Sequence, residues 1–150
     1  MLKHFILDVD GVMTTGQFIY TVDGKIGKIF GPHDADGLKL IRDKIAIQFI
    51  TADKRGWDIT YSRIVTDMGY DLRLVPESER FDYIEAHGFD QTVFMGDGYY
   101  DAPAIKACAV GIAPASALAR ARAAAHFVTP SRAAEGAVME ACIYLKDQYL

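Results

Sequence analysis

Residues 4–12 read HFILDVDGV, and they carry an apolar run straight into two carboxylates, Asp8 and Asp10. A continuous apolar run of this length suits a strand covered on both faces, as in a parallel sheet with helices on either side. An ionised carboxylate at the end of such a strand is costly unless a counter-charge neutralises it. Two of them one residue apart therefore point to a cation or a ligand at the carboxyl end of this strand.

Strand-length apolar runs recur at IAIQFIT (45–51), LRLV (72–75), TVFMGD (92–97), AVGIA (109–113) and HFVT (126–129). Between them lie segments with three- and four-residue apolar spacing: 34–44, 55–69, 78–88, 100–109, 116–125 and 136–150. Several begin with Asp, Ser or Gly where a helix N-cap falls. Alternating strands and helices predict an α/β fold, a Rossmann-like, doubly wound and mostly parallel sheet with helices on both faces.

The chain has 150 residues, 51% of them hydrophobic, enough for one domain, residues 1–150, with a full-sized core. A net charge of −4 and the lack of a basic run argue against a nucleic-acid partner. No apolar run is long enough to span a membrane, and MLKHFILDVDGV lacks the pattern of a signal peptide, so a cytoplasmic protein is expected. Cys108 and Cys142 lie among Ala and other apolar residues, which predicts buried free thiols.

One segment interrupts the alternation. GQFIYTVDGKIGKIF (16–30) places two β-patterned runs around a VDGK turn signal, which predicts a hairpin over about residues 16–31. It follows Asp10 directly, so it rises from the carboxyl edge of strand one, where open α/β sheets bind ligands. Phe18, Ile19, Tyr20, Ile26, Ile29 and Phe30 are a large apolar load for a two-stranded ribbon and call for a partner surface.

The other polar signals fall at the same edge. Thr51 ends IAIQFIT, Asp97 ends TVFMGD, and Asp101 follows four residues later in GDGYYD. In a parallel sheet these converge with Asp8 and Asp10 on one rim. Clustered carboxylates repel unless a cation intervenes, and an all-oxygen set suits Mg²⁺ better than zinc. Other motif readings fit less well. GDGYYD lacks the third glycine of a dinucleotide loop, DVDG and DADG place Gly too early for a calcium loop, and a receiver domain has no hairpin after its first strand.

LDVDGVMTTG resembles the first motif of the haloacid dehalogenase superfamily of phosphatases, FIT its second, and GDGYYD its GDxxxD fourth. The hairpin followed by KIFGPHDADGLKLI, with no inserted cap domain, is similar to the subfamily of 3-deoxy-D-manno-octulosonate 8-phosphate phosphatases over nearly the whole chain. The resemblance implies that Asp8 is a nucleophile forming an aspartyl phosphate and that Asp10 is the acid and then the base. It implies a phosphoryl contact from Thr51, a Mg²⁺ held by Asp8, the backbone carbonyl of Asp10 and Asp97, and a supporting role for Asp101. Gly11, His33, Asp34, Lys54 and Gly98 are candidate substrate-binding residues. The implied substrate is a small phosphorylated sugar acid, and the implied assembly is a homotetramer formed through the hairpins, with a neighbour helping to cover each site.

Two departures from the family stand out. Its third motif supplies a lysine, whereas 74–88, LVPESERFDYIEAHG, offers Arg80 as the catalytic cation, which is not a conservative exchange. ITADKRG replaces an ITGR-like run and puts Asp53 near a position often basic, leaving Lys54, Arg55 or His33 to compensate. A Mg²⁺-dependent phosphatase for 3-deoxy-D-manno-octulosonate 8-phosphate leads. A nonulosonate 9-phosphate or another small phosphosugar is the close variant, and a catalytically weak binding or assembly module is the alternative of another class.

Overall fold

Six strands form one parallel sheet: β1 (His4–Asp8), β4 (Ala46–Thr51), β5 (Asp71–Leu74), β6 (Thr92–Met95), β7 (Val110–Ala113) and β8 (Phe127–Val128). They appear in the order β5-β4-β1-β6-β7-β8 in this computed structural model, which describes all 150 residues. Every pairing within the sheet is parallel. The strand order reverses between β1 and β6, so a crevice opens at the carboxyl ends of those two strands. Asp8 ends one of them and Asp97 follows the other.

Both faces of the sheet are covered, which is why its strands read as unbroken apolar runs. In β1, Phe5 and Leu7 point into one core with Leu38 and Ile41 below and Val138, Ala141 and Leu145 of the last helix. Ile6 between them points into the other, with Ile50, Phe94, Ile84 and Ile105. Truncating a fully buried phenylalanine such as Phe5 or Phe94 costs about 3–5 kcal/mol in cores of this kind. The covering helices are α1 (Asp34–Lys39), α2 (Trp57–Tyr61, continued by a wider π-helical turn over Ser62–Asp67), α3 (Arg80–Glu85), α4 (Ala102–Ala107), α5 (Ala119–Ala124) and α6 (Ala137–Gln148). Cys108 and Cys142 are buried free thiols; burial pushes the Cys108 thiol up to about 12 and raises that of Cys142 as well, so neither ionises near neutral pH. No helix is long and apolar enough to cross a membrane.

The expected hairpin is formed by β2 (Thr14–Thr21) and β3 (Gly24–Phe30), which pair antiparallel as a separate ribbon. Its register carries a feature that the apolar pattern does not announce. Ile19 faces Gly27 and Tyr20 faces Lys25, so Ile26 is an extra residue, a bulge in β3. In an unbroken strand Lys25 and Lys28, three apart, would point to opposite faces. The bulge turns both onto the face that also carries Phe18, and Lys25 Nζ lies 3.5 Å from the Phe18 ring centroid. Ile19 and Ile29 are left on the other face, each 45% exposed.

Candidate active site

A cavity of about 800 Å³ lies over the crevice between β1 and β6. Asp8, Asp10, Thr51, Arg80, Asp97, Gly98 and Asp101 all line it, together with Lys25 and Phe18 from the hairpin and Tyr99 and Tyr100 from the loop after β6. The sheet's register explains the convergence. Asp8 pairs alongside Ile50, one residue before Thr51, and Leu7 alongside Met95, two residues before Asp97.

Asp8 is buried, and its Oδ1 accepts the Val9 N–H at 2.9 Å. Burial pushes its carboxyl well above the ordinary value; Arg80 pulls it back, while Asp101, Asp97 and Asp10 push it further up. Asp97 is raised to about 7, chiefly by burial and then by the charge of Asp101. Carboxylate oxygens of Asp8, Asp97 and Asp101 lie within 4.8 Å of one another. Such crowding of hard oxygen donors at a partly open site fits Mg²⁺, with room for water. Gly11 makes the approach possible: its φ is +82°, and a Cβ there would fall 1.8 Å from Asp97 Oδ2.

The oxygens of Asp101 are largely engaged within the protein. Oδ1 accepts from Arg80 Nη1 at 2.6 Å, and Oδ2 accepts the N–H groups of Asp97 at 3.0 Å and Gly98 at 2.9 Å. Asp101 thus fixes both the loop that carries Asp97 and the guanidinium at the head of α3. Arg80 Nη1 also lies 3.3 Å from Asp8 Oδ2, and its buried Nε has no partner. Although burial opposes it, the charges of Asp8 and Asp101 hold the Arg80 pKa above its ordinary value. Thr51 is buried, and its hydroxyl oxygen accepts the Asp53 N–H at 3.2 Å.

Four of the candidate substrate residues, Gly11, His33, Asp34 and Lys54, stand outside the cavity of their own chain. The Asp34 carboxylate is turned away into the packing of α1 on α6, where Oδ1 accepts the Met139 N–H at 3.1 Å. His33 and Lys54 are exposed and do not line the cavity, and the Gly11 N–H is directed to Thr14 Oγ1 at 3.2 Å. The structure brings in two lysines instead. Lys28 Nζ lies 2.9 Å from Asp10 Oδ1, 2.9 Å from Asp53 Oδ2 and 2.8 Å from Thr60 Oγ1, with its side chain wholly buried. Lys25 Nζ lies 2.7 Å from Asp53 Oδ2. The acidic Asp53 thus stands beside two cations. Alternation alone sends one of these lysines to the wrong face, and only the bulge at Ile26 would have revealed both.

The chain matches no family model. It is 34% identical over 145 residues to the 3-deoxy-D-manno-octulosonate 8-phosphate phosphatase of Haemophilus influenzae, covering 93% of this chain and 79% of that protein. The solved cobalt-bound structure of the deoxy-D-mannose-octulosonate 8-phosphate phosphatase from Haemophilus influenzae superposes with a TM-score of 0.80 at 30% identity, covering 98% of this chain and 89% of that one. A third relative, from Moraxella catarrhalis, was solved in complex with magnesium, phosphate and the KDO sugar; it has a TM-score of 0.78 at 25% identity, over 98% of this chain and 87% of that one. The sheet order, the strand-end aspartates and these likenesses define a phosphatase of the haloacid dehalogenase superfamily. Within it, the chain belongs to the family of 3-deoxy-D-manno-octulosonate 8-phosphate phosphatases. That membership supports a phosphatase over the reading as a catalytically weak binding or assembly module.

Proposed function

We propose that the protein hydrolyses 3-deoxy-D-manno-octulosonate 8-phosphate with Mg²⁺ through an aspartyl-phosphate intermediate. The observation that carries this reading is the convergence of Asp8, Asp10, Thr51, Arg80 and Asp97 on one cavity in a chain 34% identical to a phosphatase of that name. Asp8 attacks phosphorus, and Asp10 gives a proton to the leaving alkoxide and later takes one from the hydrolytic water. Thr51 donates its hydroxyl proton to a phosphoryl oxygen. Arg80, held by Asp101, faces the charge that develops there. Asp8, Asp97 and the backbone carbonyl of Asp10 are the groups that would hold the metal. When bound, Mg²⁺ supplies the charge that lets an anionic phosphate approach an anionic nucleophile.

The substrate's own carboxylate needs a cation at the rim. Lys25, lining the cavity beside Asp53, offers one from the hairpin where the chain has an aspartate at a position often basic. We further infer that the hairpins associate four chains into a homotetramer, because Ile19, Ile26 and Ile29 are exposed and unpartnered within one chain. The substrate assignment is tested by steady-state kinetics with Mg²⁺ on 3-deoxy-D-manno-octulosonate 8-phosphate, a nonulosonate 9-phosphate and glucose 6-phosphate. The highest kcat/KM is expected for the first, and a clear preference for either of the others overturns the assignment.

A further inference from the structure

Lys28 stands apart from the groups given a role above. Its ammonium is fully enclosed, and its contacts are three acceptors: the Asp10 carboxylate at 2.9 and 3.0 Å, Asp53 Oδ2 at 2.9 Å and Thr60 Oγ1 at 2.8 Å. A lysine loses much side-chain freedom and hydration when buried, so complete enclosure with every donor matched indicates a fixed site. The surroundings are shaped to it. At Gly56 a Cβ would fall 2.7 Å from Lys28 Cε, so that glycine leaves the room through which the side chain passes. Asp10, by contrast, has one weak restraint besides Lys28, a contact of 3.4 Å from the Thr14 hydroxyl.

We propose that Lys28 is the positioning residue of Asp10: its ammonium, itself clamped by Asp53 and Thr60, fixes the rotamer in which the Asp10 carboxylate can meet the leaving oxygen and the hydrolytic water. The proposal rests on the reading of Asp10 as acid and base. It also makes the hairpin part of the catalytic apparatus, since Lys28 belongs to β3 and Asp10 to the turn that follows β1. Proton transfer by a well-placed group contributes about 10²–10⁴-fold, and misplacement forfeits part of that.

A double-mutant cycle on the full-length protein tests it. Lys28→Met keeps the length and apolar stem of the side chain and removes the charge. In the native background it is expected to lower kcat for 3-deoxy-D-manno-octulosonate 8-phosphate by about 10–100-fold with little change in KM. With p-nitrophenyl phosphate, whose leaving group needs no proton, the same variant should release nitrophenolate in a stoichiometric burst and then turn over slowly. In an Asp10→Asn background the added loss should be under about threefold, since the two residues act as one unit. If Lys28→Met costs as much there as in the native background, its effect is general and the proposal is overturned. If Asp10→Asn alone leaves alkyl-phosphate turnover intact, the reading of Asp10 is wrong and the proposal falls with it. Should Lys28→Met fail to fold, Thr60→Val, which frees one side of the ammonium, takes its place in the same cycle with a smaller expected loss and the same overturning result.

Discussion

Arg80 ties the nucleophile to the loop that bears Asp97, because one guanidinium nitrogen lies against both Asp8 and Asp101. Removing it leaves two buried carboxylates without a counter-charge. Arg80→Ala should therefore lower stability by about 3–5 kcal/mol as well as kcat by about 10²–10³-fold. Arg80→Lys should recover much of the stability and part of the rate, with melting curves and steady-state assays on the same preparations as the check. At Asp97 the raised carboxyl, near 7, has a different consequence. Below that pH the group is protonated, and a proton must leave before a cation can bind. Mg²⁺ affinity measured by calorimetry should fall as pH drops from 7 to 5, with about half a proton released from Asp97 per ion at pH 7 and close to one at pH 6 and below. Flat affinity across that range would remove Asp97 from the ligand set. Asp8, Asp10, Asp97 and Thr51 were legible in the sequence because each ends or follows an apolar strand. His33, Asp34 and Lys54 lie outside the cavity of their own chain because proximity in the chain to a site is not proximity in space: α1 turns Asp34 toward α6 as soon as the hairpin has returned.

At the scale of elements, the hairpin is docked through Asp53. Burial alone would raise this carboxyl, but hydrogen bonds from Lys25 and Lys28 and from the Gly56 N–H bring it down from 3.8 to about 2. A carboxylate with a depressed folded-state pKa stabilises the docked form above about 3.8, and this contribution is lost as pH falls toward 2. The hairpin should consequently loosen in that window. Trp57 lies in α2, the helix on which β3 packs, so its fluorescence should report the change, and Asp53→Asn should abolish the transition. The existence of the hairpin was legible from its turn and its two β-patterned runs. Its bulge was not, because Gly-Lys-Ile-Gly-Lys carries no apolar alternation from which to count faces.

For the whole molecule, the sheet order and its two covered faces follow from alternating strands and helices, which is why the architecture was readable before any contact was known. Assembly is another matter, since one chain records only what it leaves uncovered. Ile19 and Ile29 lie on the face of the ribbon turned away from the cavity, so replacing both by Asp should break the proposed tetramer without touching the groups that line the site. Light scattering should then show smaller species, and kcat/KM should fall more for the sugar phosphate than for a small aryl phosphate that needs little enclosure. A wild-type protein that is monomeric at working concentration would end this account.

The bulge at Ile26 gives the ribbon something like a reading frame. A strand assigns its side chains to two faces by parity, and one added residue inverts the parity of everything on one side of it. Lys25 and Lys28 share a face only in the present frame. Deleting Ile26 would leave the two lysines two apart in a regular strand and still on one face, whereas pairing the present sequence without the bulge would send Lys25 outward among the isoleucines and put Ile26 over the rim. A substitution that favours the unbulged pairing is consequently as consequential as the loss of a charged group, although it changes neither lysine.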